Sequence, residues 1–170
     1  DMQRAAMRAV RRTDIVPEYS AGFNPHMLMS FASAMPVGLE SDSEYFELRV
    51  LGDPDPADCL KALQKAMPEG IRPIWAGALK ENAPKLMAAL QFAGYEARFK
   101  TENPQNIKKT FANLLQSDMI ETEIKKDGRT VKKDIRPLIR EIRFLEDGKT
   151  AFMLLAASSV GTLNPEVLLK

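Results

Sequence analysis

The stretch MIETEIKKDGRTVKKDIRPLIREIRFLEDGKTAFMLLAA, residues 119–157, decides the fold class of this chain. Two Asp-Gly steps, Asp127-Gly128 and Asp147-Gly148, interrupt runs of strand-forming sequence. An Asp-Gly step between such runs is typical of a β-hairpin, because glycine adopts the positive φ that a tight turn needs. The stretch therefore predicts two antiparallel hairpins, whose four strands cover residues 119–125, 130–135, 141–145 and 150–157.

Upstream of this stretch, helical and strand patterns follow one another. Apolar residues recur at helical spacing in residues 1–13, from about residue 57 to Pro68, and after Asn103-Pro104, which predicts three helices. Residues 84–93 fit either a helix or a buried strand, and Asn164-Pro165 is typical of the start of a terminal helix. Strand patterns cover residues 28–32, 45–51, 71–79 and 95–99.

This order of elements predicts an α+β fold in two halves, each an antiparallel sheet with helices on one face. The specific form that we predict is a doubled ferredoxin-like arrangement. Residues 1–80 are assigned to an N-terminal α+β half and residues 81–170 to a C-terminal α+β half with the two hairpins. We expect the halves to form one compact unit, since 170 residues are enough to bury about 70% of the unfolded surface.

The composition excludes several classes of protein. The chain has one Cys, one His and a net charge of +1. A lone Cys59 forms no internal disulfide, which is usual in a reducing compartment, and no apolar run approaches the roughly 20 residues of a membrane span. We therefore expect a cytoplasmic protein without membrane association. The chain begins at Asp1 and not at an initiator Met, so we also expect an upstream segment.

The same counts exclude most resident metals and cofactors. One cysteine cannot hold an iron–sulfur cluster or a Cys-rich zinc site, and His26 alone cannot form a two-histidine metal centre. The chain contains neither a GxxxxGK[ST] phosphate loop, nor a GxGxxG loop after a strand, nor a GxSxG nucleophile elbow. Because Cys59 lies on the apolar stripe of a predicted helix, it is interpreted as structural. We predict no metal and no cofactor.

The richest candidate site is the segment of residues 19–45. Pro25 stiffens the chain just before His26, the one side chain whose ordinary pKa lies near neutral pH. If the ends of the segment meet, Glu40 or Glu44 can accept a hydrogen bond from this ring or from a ligand. We predict acid–base roles for His26 and Glu40; the alternative is that Asn-Pro-His is only a turn. Further substrate contacts are predicted for Ser20, Asn24, Ser41 and Glu44.

Charge is segregated along the chain. Acidic residues dominate residues 40–58, whereas residues 125–143 hold eight Lys or Arg against three Asp or Glu. Residues 125–143 are predicted to form an exposed ribbon dense in Lys and Arg, which is a candidate binding site for nucleic-acid phosphates. The arginines that recur at helical spacing in residues 1–13 are a second candidate site for an anion. The alternative for the arginines of the first helix is that they form a solvated helix face. The alternative for Asp134 and Arg136 is that they form an intramolecular salt bridge with each other. The predicted substrate contacts are Arg4, Arg8, Arg11, Asp134 and Arg136.

A long motif completes the sequence picture. It reads Tyr19-Ser20-x-Gly22-Phe23-Asn24-Pro25-His26, then Ser30-Phe31-Ala32, then Pro36-Val37-Gly38-Leu39-Glu40-Ser41 and Glu44-Tyr45. With Asp134-Ile135-Arg136-Pro137 and Gly161-Thr162-Leu163-Asn164-Pro165, it resembles the bacterial radical-SAM-linked domain of unknown function over essentially the whole chain. Met27 stands where that family commonly has a second proline. The family's upstream Ser-His-Leu-Asp motif corresponds here only to Asp1-Met2.

The resemblance implies a radical SAM protein as partner, encoded nearby or fused, and an RNA substrate; it implies no known reaction. Three hypotheses follow, in order of preference. The first is a module that binds RNA, or an RNA-like substrate, for the radical SAM partner. The second is a protein-docking domain without a ligand site, and the third is a small acid–base enzyme that uses His26.

Overall fold

A computed structural model of the protein describes residues 2–33, 35, 38–126, 128–158 and 161–169, without the side chains of residues 124–126. The chain divides into two compact units, Asp1–Ala89 and Leu90–Lys170. The fold is mixed α+β, and the described residues form four α-helices and antiparallel sheets. The predicted fold class is confirmed.

Unit 1, Asp1–Ala89, consists of three helices and a two-stranded sheet. Its strands pair antiparallel, with Ser30 opposite Glu47. The elements are α1 Met2–Val10, β1 Met29–Phe31, β2 Phe46–Leu48, α2 Pro56–Ala66 and α3 Leu86–Ala89. Each of these strands, and the first two helices, lies where the sequence predicts it.

The core of unit 1 lies between α1, α2 and the sheet. Its buried residues are Ala6, Val10, Met27, Met29 and Leu63. Three of these five come from the apolar stripes of α1 and α2, and the two methionines come from the end of the 19–27 segment and from β1. Methionine adapts its shape to irregular gaps, which suits a core covered by short elements.

Unit 2, Leu90–Lys170, holds both predicted hairpins. Its strands form a three-stranded sheet in the order β3-β7-β6 and a separate two-stranded ribbon, β4-β5. The elements are β3 Phe92–Arg98, α4 Pro104–Gln116, β4 Glu121–Lys126, β5 Arg129–Asp134, β6 Ile139–Phe144 and β7 Thr150–Ala156. The turn glycines Gly128 and Gly148 have φ of +75° and +68°, as tight hairpin turns require.

Strand β7 is the centre of unit 2. It is paired on both sides, and Ala151, Met153 and Leu155 on one of its faces are 0% exposed. Ile135, Ile139 and Leu163 complete the buried cluster. A central strand buries more of its surface than an edge strand, which explains why this run is the most apolar in the chain.

One predicted strand is wrong. Residues 71–80, all of which the structure describes, form no strand, and Ile74 and Trp75 are 60% and 70% exposed. Pro73 lacks the N–H that a ladder needs, and its carbonyl accepts a bond from the side chain of Gln64 at 2.9 Å. The segment has strand-like residues but no neighbouring strand with which to pair.

The other differences are smaller. The ambiguous residues 84–93 contain α3 and the start of β3, and Asn103 makes no side-chain bond to the helix that it precedes. Asn164 does cap the terminal turn, a 3₁₀ helix over Pro165–Val167. The sheets formed by the described residues have two, three and two strands, so the doubled ferredoxin-like arrangement is not confirmed. Within the described part of the chain, no helix is long and apolar enough to cross a membrane.

The turn between β6 and β7 predicts a dependence of stability on pH. The hydroxyl of Thr150 donates to the Asp147 carboxylate at 2.6 Å, and the backbone N–H groups of Thr150 and Lys149 donate at 2.8 and 2.9 Å. The Thr150 side chain, followed by these N–H groups, lowers the pKa of Asp147 below its ordinary value of 3.8. This stabilisation is therefore present above pH 3.8 and is lost as the pH falls through the pKa of the folded state.

We expect Asp147→Asn to be less stable than the wild type at about pH 6, and the difference in stability to shrink as the pH falls through the pKa of the folded-state carboxyl. Thermal unfolding of both proteins across this range is the measurement. Equal stability of the two proteins at the higher pH would show that the charged turn contributes nothing.

Candidate functional site

Residues 19–27 form a closed loop in unit 1. Tyr19 and Met27 pair as an antiparallel bridge, and the Ser20 N–H donates to the His26 carbonyl at 2.8 Å. The His26 N–H donates in return to the Ser20 hydroxyl oxygen at 3.1 Å. Met27 is 1% exposed and belongs to the core, so the base of the loop is anchored. Residues 20 and 26 are therefore held at fixed positions.

The same serine orients the His26 ring. Ser20 Oγ lies 2.8 Å from His26 Nδ1, and both side chains are at the surface. The Ser20 hydroxyl can donate its proton to Nδ1 while its oxygen accepts the His26 N–H. We assign this arrangement, which leaves the proton of the neutral ring on Nε2. The loop then presents an N–H donor at its surface.

The tip of the loop carries a solvent-exposed aromatic ring. Gly22 has φ of +115°, a conformation that favours glycine, and the next residue, Phe23, is 106% exposed. Asn24 is also exposed and is followed by Pro25, which restricts the chain. The candidate residues predicted from the sequence omit Phe23. An aromatic residue between a glycine and an Asn-Pro turn is the signal that indicates it.

Glu40, Ser41 and Glu44 form a separate group. The Ser41 hydroxyl donates to the Glu44 carboxylate at 2.8 Å, while the exposed Glu40 lies at a surface cavity of about 410 Å³. The residues that line this cavity are Met2, Ala5, Met35, Leu39, Glu40, Ser41, Gly70 and Ile71. Three residues of the predicted 19–45 segment, Ala34, Pro36 and Val37, lie outside the described residues.

The predicted acid–base pair is not joined by a direct contact. His26 has Ser20 as its hydrogen-bond partner, and neither a hydrogen bond nor an ion pair links these two described residues, His26 and Glu40. Among the predicted residues the fold instead brings together Ser20 with His26, and Ser41 with Glu44. The roles of all these residues in substrate binding or catalysis stay predictions.

The arginines of the first helix have two different environments. Arg4 and Arg8 are exposed on α1, and Arg11 is exposed in the turn that follows. Arg12, which the sequence does not single out as a contact, donates to the carbonyl of Ala66 at the end of α2. A cation at the carboxyl end of a helix is favourable, so this arginine connects the two helices.

Asp134 and Arg136 both hold the backbone of unit 2. One carboxylate oxygen of Asp134 accepts the N–H groups of Ile120 and Arg136 at 2.9 and 3.0 Å. The Arg136 guanidinium donates to the carbonyl of Leu115 at 3.3 Å. The two side chains, both described, form no ion pair with each other, so the predicted alternative of a salt bridge is wrong.

The register of the β4–β5 ribbon sorts its charges onto two faces. Residues directly opposite each other in an antiparallel pair lie on the same face. On one face Glu121 lies opposite Asp134, and Glu123 lies opposite Lys132. The Lys132 ammonium forms an ion pair with Glu121 at 3.1 Å. We call this face the mixed face, because Lys132, the lysine on it whose side chain is described, is matched by acidic neighbours.

The opposite face of β5 carries Arg129, Val131 and Lys133, with Thr122 across from Lys133. We call these four residues the basic face. Arg129 and Val131 are exposed, and Lys133 is half-buried. Among the described side chains, no acidic residue lies on this face, and neither cation has a hydrogen bond or an ion pair. Among the described side chains of the ribbon, the cations without an acidic partner therefore lie on the basic face.

Comparison with known proteins identifies the family. The profile of a family described as "Uncharacterized protein conserved in bacteria (DUF2344)" matches residues 1–165. The chain belongs to the DUF2344 family. No curated protein and no solved structure matches it. The DUF2344 match supports a bacterial protein family without an assigned function, and it carries no link to radical SAM proteins or to RNA.

Cys59 of this DUF2344 protein is a half-buried thiol on α2. Burial, followed by the nearby carboxylates of Asp55 and Asp58, raises the pKa of Cys59. A raised pKa keeps the thiol protonated at neutral pH and makes it a poor nucleophile, which agrees with its structural interpretation. In the described part of the chain, His, Cys, Asp and Glu side chains form no cluster suited to a metal ion.

Proposed function

We propose that this DUF2344 protein is an RNA-binding module that acts with a radical SAM protein in RNA modification. The observation that carries the proposal is the basic face of the β4–β5 ribbon. Among the described residues, Arg129 and Lys133 have no acidic partner on that face, whereas Lys132 on the mixed face is paired with Glu121. Such one-sided charge is not needed to hold the ribbon together and favours an anionic ligand.

The chemistry of the basic face suits a polyanion. Arg129 can donate two parallel N–H bonds to a phosphate, and Lys133 supplies a point charge four residues along the strand on the same face. Side chains four apart on a strand are about 13 Å apart, roughly twice the spacing of successive phosphates in an extended single strand, so the two cations suit alternate phosphates. Val131 between them is 38% exposed and offers apolar contact to a sugar or base.

The distribution of charge between the units supports the same assignment. Unit 2 holds 14 Lys or Arg against 11 Asp or Glu, whereas unit 1 holds 10 against 12. The excess of positive charge is thus on the unit that contains the ribbon. Long-range attraction brings an RNA to that unit before specific contacts form.

The radical SAM partner rests on the resemblance of the sequence to radical-SAM-linked domains. A cluster that generates radicals needs several cysteines, and this chain has only Cys59. Radical chemistry would therefore belong to the partner, while the DUF2344 chain binds the RNA. A cytoplasmic location fits both parts of the proposal.

An acid–base enzyme is a further candidate, because Ser20 and His26 lie 2.8 Å apart at the surface. A hydroxyl bonded to an imidazole is the minimum arrangement for nucleophilic or general-base catalysis. The proposal of a binding module is preferred, since no described carboxylate orients the ring from its other side.

Binding that depends on phosphate contacts weakens as salt rises. For a short single-stranded RNA held by two or more cations of the chain, we expect the affinity to fall about sevenfold or more between roughly 50 and 200 mM salt. Fluorescence anisotropy of a labelled oligonucleotide measures this. Absence of binding at the lower salt concentration, or an affinity that salt does not change, contradicts the proposal and favours a protein-docking role.

A further inference from the structure

The loop of residues 20–26 combines rigidity at its base with a bare aromatic ring at its tip. Three hydrogen bonds between Ser20 and His26 close it, and Met27 anchors it in the core. Of the large hydrophobic side chains that are exposed, Phe23 at 106% is the most exposed. The ring therefore has no packing role that would explain its presence at the tip.

We infer that this loop is a nucleobase-stacking site, in which Phe23 stacks on one base of a single-stranded RNA. The inference rests on the proposed function for the identity of the polymer, but it uses a different part of the chain. Asn24 and the His26 Nε2–H, both exposed, supply hydrogen bonds to the edge of the stacked base. One base, not a long tract, is the ligand of the loop.

The residues around Phe23 favour a base over a protein surface. A protein-docking site is built around several apolar anchors with a polar rim, whereas residues 21–25 offer a single large apolar side chain. A flat ring flanked by an amide and an imidazole matches a nucleobase, which has two flat faces and a polar edge. Pro25 restricts the backbone close to the ring, so less backbone entropy is lost on binding than in an unrestrained loop.

Substitutions of Phe23 separate stacking from simple hydrophobicity. Because the side chain is fully exposed, Phe23→Ala, Phe23→Leu and Phe23→Trp all leave the packing of unit 1 intact. We expect Phe23→Ala to weaken binding of a 10-nucleotide single-stranded RNA by about 5- to 100-fold. Phe23→Trp keeps or improves the affinity. Phe23→Leu loses as much as Phe23→Ala, although leucine keeps most of the apolar area.

Adenosine alone provides the test that does not depend on the ribbon. Trp75 is the only native tryptophan, so the wild type gives the background fluorescence for the Phe23→Trp protein. We expect adenosine to quench the added tryptophan and not the wild-type signal. Wild-type affinity for RNA in Phe23→Leu or Phe23→Ala overturns the inference and leaves the proposed function standing. If the wild type binds no RNA, the proposed function fails. The stacking site is then decided by adenosine quenching of the Phe23→Trp protein, and absence of quenching overturns the stacking site as well.

Discussion

Replacing Leu155 with alanine is expected to lower the free energy of unfolding by about 2–5 kcal/mol. Leu155 lies on the central strand β7, is 0% exposed, and packs in the cluster that contains Ile139 and Met153. Truncation removes buried apolar surface and leaves a cavity in this cluster, against a strand whose backbone pairs with β3 on one side and with β6 on the other. The backbone pairing prevents the cavity from collapsing, so most of the cost remains.

The measurement is equilibrium unfolding in urea, and Leu169→Ala is the matched control. Leu169 is 44% exposed, so the same change there is expected to cost less than about 1 kcal/mol. A loss below about 1 kcal/mol for Leu155→Ala as well would show that β7 is not the centre of the core of unit 2.

Replacing Asp134 with alanine is expected to cost about 1–3 kcal/mol, because it leaves two backbone donors without their acceptor. The N–H groups of Ile120 and Arg136 both donate to one oxygen of this half-buried carboxylate. Asp134→Asn keeps an oxygen at that position and should stay close to wild-type stability. That result would show that the stability of unit 2 requires a hydrogen-bond acceptor at position 134 and not a negative charge.

The same pair of variants tests whether Asp134 contacts the substrate. Urea unfolding and RNA affinity are measured for both. If Asp134→Ala unfolds like the wild type but binds RNA more weakly, the residue acts on the ligand and its structural role is contradicted. If stability falls and Asp134→Asn restores it, the position serves the connection from β5 to the turn Arg136–Leu138.

The hairpins could be predicted from the sequence because local chemistry determines them. Gly128 and Gly148 each have the positive φ that the tight turn of a β-hairpin needs, and the strand-forming runs on either side are too short for helices. The helix at α2 was equally predictable. Asp55 accepts the N–H of Ala57 at 2.7 Å, and Pro56 occupies the first turn.

Residues 71–79 show where local pattern fails. Ile74 and Trp75 have a high preference for strands, but a strand needs a partner, and partners are set by the tertiary fold. The two halves of the candidate site illustrate the same limit. Ser20 and His26 are six residues apart and are joined by a closed loop, whereas His26 and Glu40 depend on longer-range folding and are joined by neither a hydrogen bond nor an ion pair.

The roles of individual side chains were harder to predict from the sequence than the positions of the helices and strands. Asp134 and Arg136 were interpreted from their charge, yet what they bind is mostly backbone, which composition does not reveal. The sorting of the ribbon charges depends on register. A shift of one residue would place Lys132 on the other face, and the turn at Gly128 is what fixes it.

The most direct test of RNA binding by the basic face compares Arg129→Glu with Lys132→Glu. Both residues are exposed on β5, and both variants change the charge by the same amount, but the two side chains lie on opposite faces of the ribbon. The RNA affinity of each variant is measured at low salt with the same oligonucleotide. We predict a loss of about tenfold or more for Arg129→Glu and less than about threefold for Lys132→Glu. Equal losses for the two variants, or no loss for Arg129→Glu, would contradict binding through the basic face.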